Sequence, residues 1–217
     1  MDLSDLEQLI KGRRSIRRWQ AKEVSEDLLL KAIELATWAP NGGNRQNWHF
    51  YVILNRETIG RIADAVQTSA DLMASWPEAV EMGDTLRRWQ ATSSFFRAAP
   101  AAIAVAAAQY QSLADQILIR REAVDPRAAQ MRQWRQTANS RIQSVAAAIS
   151  YLLLVLHQMG LGAVWMTGPM QAKGEIEKIL NVPPGMDLIA FIPVGYPDEE
   201  IRPANRRPVT EVGTLIM

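Results

Sequence analysis

Residues Val145 to Leu156 form a run that is apolar almost all round, in the second half of a helical pattern that extends from Ala128 to Met159. A helix with no polar face at the 3.6-residue spacing must be covered on every side, by its own core or by a partner subunit. The run is shorter than the roughly 20 residues a bilayer crossing takes, and Arg141, His157 and Gln158 flank it. It therefore reads as a buried helix around which the rest of the chain must be arranged. With 217 residues, 48% of them hydrophobic, the chain has material for one substantial core, so one domain over residues 1–217 is expected.

Other elements follow from periodicity and breakers. Leu3, Leu6, Leu9 and Ile10 space a first helix that ends at Gly12, and Ser25 stands where it would cap a second, which Pro40 stops. A polar loop, 41–47, leads into a strand from Trp48 to Leu54. Residues 57–82 read as mostly helical with a break near Pro77, and 83–97 as helix or loop. Ala101 to Ala108 fits a buried strand, although its alanines leave a helix open. After Gly160-Leu161-Gly162, a strand from Ala163 to Thr167, a helix from Gln171 to Leu180 and a strand from Leu188 to Val194 precede a polar tail.

Several chemistries are excluded or disfavoured. The chain has no cysteine, which removes disulfides, thiolate nucleophiles and cysteine metal sites, and the first 14 residues do not read as a secretory signal. A cytoplasmic location is the default, with no membrane partner. No G-x-S-x-G elbow or Walker loop is present, and Trp165 stands where a dinucleotide fingerprint opened by Gly160 needs its third glycine. Only His49 and His157 are available, too few for a histidine metal centre, so the chemistry is expected to belong to a cofactor.

What remains is an anion-binding signature. Of 24 basic residues 19 are arginine, whose planar fork suits phosphate and carboxylate. Arg13, Arg14, Ser15 and Arg17 put three guanidinium groups and a hydroxyl within five positions at a helix end, as a phosphate clamp needs. A basic run is more often a solvated face. A second cluster, Arg202, Arg206 and Arg207, lies near the other terminus. Pro40, Asn41, Asn44 and Gln46 belong to a carboxamide-rich loop suited to a heteroaromatic edge or simply to a turn. Thr167 and Gly168 leave a strand where backbone can approach a ring closely.

In this order the stretches 13–17, 40–50, 160–168 and 195–209 resemble the nitroreductase family. The resemblance implies an α+β fold with a central mixed sheet flanked by helices, and a homodimer whose subunits exchange terminal segments. It also implies non-covalent FMN with NADH or NADPH as co-substrate. Arg13, Arg14, Ser15 and Arg17 would grip the phosphate and ribityl region, with Arg206 and Arg207 completing the phosphate site. Pro40, Asn41 and Asn44 would border the ring, from the same or the opposite subunit, Gln46 would stand near the ring or ribityl chain, and Thr167 and Gly168 would face the N5 edge. Asn41 stands where the family often has Ser, and Asn47 where it often has Pro.

The implied activity is ping-pong reduction of a small organic acceptor such as a nitroaromatic or quinone, with no obligatory side-chain acid or base. Aromatic residues in 69–96 and 110–134 are candidates for the acceptor pocket, or for packing. Three alternatives stay open: reductive dehalogenation or alkene reduction on the same scaffold, a flavin carrier or sensor without a dedicated substrate, and a nucleic-acid binder using the two arginine clusters. The net charge of +1 disfavours the last, and no nucleic-acid partner is expected.

Overall fold

The computed structural model describes residues 2–201 and 203–217; Arg202, counted above in the C-terminal basic cluster, lies outside the described residues. Four strands form one sheet in the order β1-β2-β4-β3: β1 Trp48–Ile53, β2 Ala101–Ala108, β3 Gly162–Ala163 and β4 Met186–Gly195. All three strand pairings are antiparallel. The mixed sheet expected from sequence keeps its parallel component only as an isolated bridge between Ser15 and Ala163.

Strand β2 is central and buried from Ala101 to Ala107, and its residues alternate between two cores as the pleat requires. Ala101, Ile103, Val105 and Ala107 face one side, with α2 (Glu26–Ala36) and α8 (Ser140–Gln158). Ala102 and Ala104 face the other, where α3 (Arg56–Ala74) and α9 (Lys173–Leu180) supply Ile59, Ile62 and Ile176. The alanines make β2 strand-like by position rather than propensity: small side chains let helices settle on both faces.

The long helix expected from Ala128 to Met159 is two. α7 (Pro126–Ala138) ends at Asn139, whose backbone is left-handed (φ 41°) and whose side chain caps α8 by accepting from the N–H of Ile142 at 3.2 Å. Asparagine tolerates that conformation and caps well, so one residue ends a helix and starts the next. By length and composition the span 126–158 would suffice to cross a membrane, yet α8 commits Val145, Ala148, Ile149, Leu152 and Leu156 to the core.

Other boundaries shift for local reasons. Ser25 stands at the start of α2 but its side chain makes no capping bond. The strand expected over 163–167 lapses after Ala163, because Pro193 lies opposite Val164 and has no N–H to donate; pairing returns at Met166, which exchanges two 3.0 Å bonds with Phe191. A 3-10 turn, Gly168–Ala172, precedes α9. Helix α4 (Pro77–Val80) follows the break expected near Pro77, α5 (Gly83–Thr92) makes most of 83–97 helical, and α6 (Leu113–Arg121) packs on α7.

Candidate functional site

Helix α1 (Leu3–Gly12) ends as Arg13 turns extended, and the chain then runs beside β3, where the N–H of Ile16 donates to the carbonyl of Ala163 at 3.1 Å. Ile16 and Trp19 point inward and are buried, which turns Ser15, Arg17 and Arg18 outward. Two glycines permit this docking. A Cβ on Gly162 would sit 2.7–2.8 Å from Ile16, and one on Gly195 2.6 Å from Pro100 and 2.9 Å from Trp19. The Trp19 indole N–H closes the contact by donating to the Gly162 carbonyl at 2.9 Å.

The C-terminal segment returns over this stretch. Gln20 N–H donates to Tyr196 O (2.9 Å), and Asp198 N–H to Arg18 O (3.0 Å). The Glu199 carboxylate accepts from the backbone N–H of Arg17 and, at 3.0 Å, of Arg18. Arg13, Arg14, Ser15, Arg17, Arg18 and Arg206 thereby line one cavity of about 500 Å³, in which five arginines outnumber two carboxylates, Glu199 and Glu200. Arg13, Arg14 and Arg206 also line a second, of about 760 Å³, with Lys11 and Ser150, and its apolar wall is made by Ile10, by Leu153 and Leu154 of α8, and by Trp165.

The electrostatics suit an anion. Burial, then the like charges of Arg14 and Arg206, lower the pKa of the Arg13 guanidinium. His157, whose Nε2 lies 3.1 Å from where a Gly12 Cβ would stand, is held below its ordinary value by burial and by Arg13 and Arg14, so it is neutral at pH 7. Gathering like charges is unfavourable without a counter-charge, and an anion with several acceptor oxygens relieves it.

The remaining sequence-selected residues fall elsewhere. Arg207 is exposed and lines neither cavity. In the loop after α2, Pro40, Asn44 and Gln46 are exposed. Asn41 is used internally, its Oδ1 accepting from Gln46 N–H at 2.9 Å, while Asn44 (φ 51°) and Gln46 (φ 47°) adopt left-handed backbone. The loop is tied to α8 by Gly42 N–H donating to Ser144 Oγ at 3.2 Å, and Arg45 lies over the Tyr110 ring at 5.0 Å. Asn47 is buried with its Nδ2 unpartnered among the described residues.

Thr167 and Gly168 are exposed just beyond Trp165, and nothing lies within 4 Å of where a Gly168 Cβ would stand. Gly168 borders a small cavity of about 180 Å³ with Trp89, Thr92, Ser93 and Met166. Trp165, which lines the second clamp cavity, precedes Gly168 by three residues, whereas the 40–47 loop meets α8 at its other end. From Ser144 to Leu153 or His157 is on the order of 15–20 Å at the helical rise.

These residues fit a phosphate-bearing flat heteroaromatic such as FMN. The cationic cavity opens, through three shared arginines, onto an apolar wall, and the Trp165 Nε1 in that wall is a buried donor with no acceptor among the described residues. Sequence reasoning missed Trp19, Gly195 and Glu199, which shape the clamp through contacts spanning well over a hundred residues.

Comparison with known proteins agrees. A Methanothermobacter thermautotrophicus protein named as an NADH dehydrogenase/NAD(P)H nitroreductase is 29% identical over 90% of this chain and 78% of its own. A BluB-like flavoprotein from Clostridium difficile 630 superposes with a TM-score of 0.82 at 28% identity, over 100% of both chains. An iodotyrosine deiodinase bound to FMN and 3-iodo-L-tyrosine does so with a TM-score of 0.70 at 25% identity, covering 94% of this chain and 96% of that one. The Nitroreductase family model matches residues 10–196, and with its arginine clamp, glycine-docked strand edge and two-faced sheet the chain belongs to the nitroreductase family.

Proposed function

We propose that this protein is an FMN-dependent oxidoreductase that uses NADH or NADPH to reduce a small organic acceptor, a quinone or nitroaromatic, by a ping-pong mechanism. The observation that carries the reading is the pair of joined cavities: cations at one end, apolar α8 and Trp165 at the other, with Arg13, Arg14 and Arg206 in common. The names of the relatives support both the flavin and the nicotinamide.

When bound, FMN supplies the two-electron chemistry that joins nicotinamide to acceptor. Arg13, Arg14, Arg17 and Arg206 neutralise the phosphate, with Ser15 as a hydroxyl partner. Leu153, Leu154 and Trp165 exclude water from the ring. Thr167 and Gly168 leave backbone open at the reacting edge, and Arg207 extends the basic rim.

The same geometry supports a homodimer. The more open face of α8 carries Ala146, Ser150 and Tyr151, small enough along most of its length for a second helix to approach. Antiparallel pairing of two copies of α8 brings the 40–47 loop of one, with Pro40, Asn41, Asn44 and Gln46, to the clamp of the other. Val209, Val212, Leu215, Ile216 and Met217 are all exposed, from 58% to 107%, which suits a terminal segment that packs on a second copy. The absence of cysteine fits a reducing, cytoplasmic setting.

The test is the visible spectrum of the purified protein, mass analysis of chromophore released by heat, and initial rates with NADH and a quinone. A yellow protein that releases FMN and gives parallel double-reciprocal lines is expected. A colourless protein that takes up no added FMN would overturn the reading.

A further inference from the structure

Beyond the small cavity at Gly168, and on the far side of Trp89, lies a groove of about 380 Å³ between α3, α4 and α5. Met73, Trp76, Met82, Leu86 and Trp89 line it, and Glu78 is its one charged side chain. Trp89 lines both spaces, so the groove and the Gly168 cavity adjoin at its indole. That small cavity has no charged lining residue at all.

The α5 wall is held in place. Gln67 Nε2 donates to Asp71 (2.8 Å) and to the carbonyl of Gln90 (3.2 Å), Gln90 Nε2 donates to Asp71 (2.8 Å), and Ser94 donates to Gln67 (2.8 Å). Gln171 Nε2 donates to Val66 O at 3.3 Å, tying the Gly168 turn to the same helix α3. One scaffold helix therefore positions both walls. Even so, Trp76 (49%) and Met82 (62%) stand exposed, a cost in apolar hydration that an apolar occupant removes.

We propose that this groove is the specificity subsite for the acceptor, taking the apolar substituent of an uncharged aromatic molecule whose reducible ring lies in the Gly168 cavity. An amino-acid zwitterion needs both signs of charge, and these walls offer a single carboxylate. The idea rests on the oxidoreductase reading for its reduction step: a quinone receives hydride equivalents from NADH and a proton from water, giving hydroquinone and NAD⁺.

The experiment compares kcat/KM for 1,4-benzoquinone and 2-butyl-1,4-benzoquinone with NADH, in the wild-type holoprotein and in Leu86→Glu and Trp89→Ala. The chain has no thiol for quinones to arylate. A preference of about tenfold or more for the butyl compound is expected, the range apolar pockets give, and it should shrink severalfold in both variants. No preference in the wild type, or an undiminished one in both variants, overturns the proposal. Calorimetry with redox-inert butylbenzene reads the groove separately. Saturable binding that Leu86→Glu weakens, with 4-butylbenzoate binding more poorly, upholds the subsite even if neither quinone is reduced, an outcome that would sink the oxidoreductase reading alone. Absence of saturable butylbenzene binding in the wild type overturns the subsite. Thermal melting checks that each variant folds.

Discussion

Arg13 sits where three effects meet: partial burial, two neighbouring arginines and the neutral ring of His157. Each charge-assisted contact to phosphate is worth about 1.5–3 kcal/mol, so Arg13→Ala with Arg206→Ala is expected to weaken FMN retention by at least about a hundredfold. Equilibrium dialysis against FMN would measure it, and full flavin occupancy in the double variant would remove the clamp assignment. The arginines were legible in the sequence because a charge cluster at a helix end is a local pattern. The residues that aim them were not. Gly162 matters because Ile16 needs the space of its missing Cβ, and Glu199 because its carboxylate reaches the backbone N–H of Arg17 and Arg18; neither need leaves a mark within any short window. Asn41 shows the opposite outcome, a carboxamide with a plausible ligand role whose oxygen is already engaged by Gln46.

Among elements, the two core helices α2 and α8 followed from apolar spacing and β1 from its aromatic and β-branched residues, while the alanines of β2 fitted strand or helix, and two misplaced boundaries each trace to a single residue. Asn139 divides a helix that apolar spacing alone would continue, and Pro193 interrupts the pairing of a strand on the neighbouring segment. The tie between elements is Asp187 at the start of β4, which receives Arg141 of α8 at 2.8 Å, Lys173 of α9 at 3.0 Å and Gln109 at 2.9 Å. Burial opposes its ionisation, but the hydrogen bonds from Gln109, Lys173 and Arg141 outweigh that and hold it at about 2. Its stabilisation is therefore complete above about pH 4, the unfolded carboxyl value, and is lost as pH falls toward 2. Allowing for its partial exposure, Asp187→Asn should cost about 1–2 kcal/mol at pH 7. In urea titrations the gap between wild type and variant should close between pH 4 and pH 2; a constant gap would mean that the charge of Asp187 does not bind these elements together.

At the scale of the whole molecule, the two halves of the proposed flavin site stand at opposite ends of α8. Ser144 anchors the 40–47 loop near its start, and Leu153, Leu154 and His157 meet the clamp near its end. A twofold axis that superimposes one half-site on the other must cross the helix about midway between Ser144 and His157, beside Ser150 and Tyr151. Tyr151 is 43% exposed there and lines neither clamp cavity. In an isologous interface a residue near the axis faces its own copy, so Tyr151→Glu would place two carboxylates against each other in a desolvated contact. Sedimentation velocity at about 10 μM should then find the wild type dimeric and the variant monomeric, since obligate dimers dissociate by mass action once the interface is weakened. If both half-sites serve one flavin, the variant must also lose FMN although every arginine of the clamp is intact. The Arg13 and Arg206 double variant should do the reverse, shedding FMN while staying dimeric. A Tyr151→Glu protein that remains a fully loaded dimer would move the axis off α8, and one that becomes a fully loaded monomer would make the flavin site the property of a single chain.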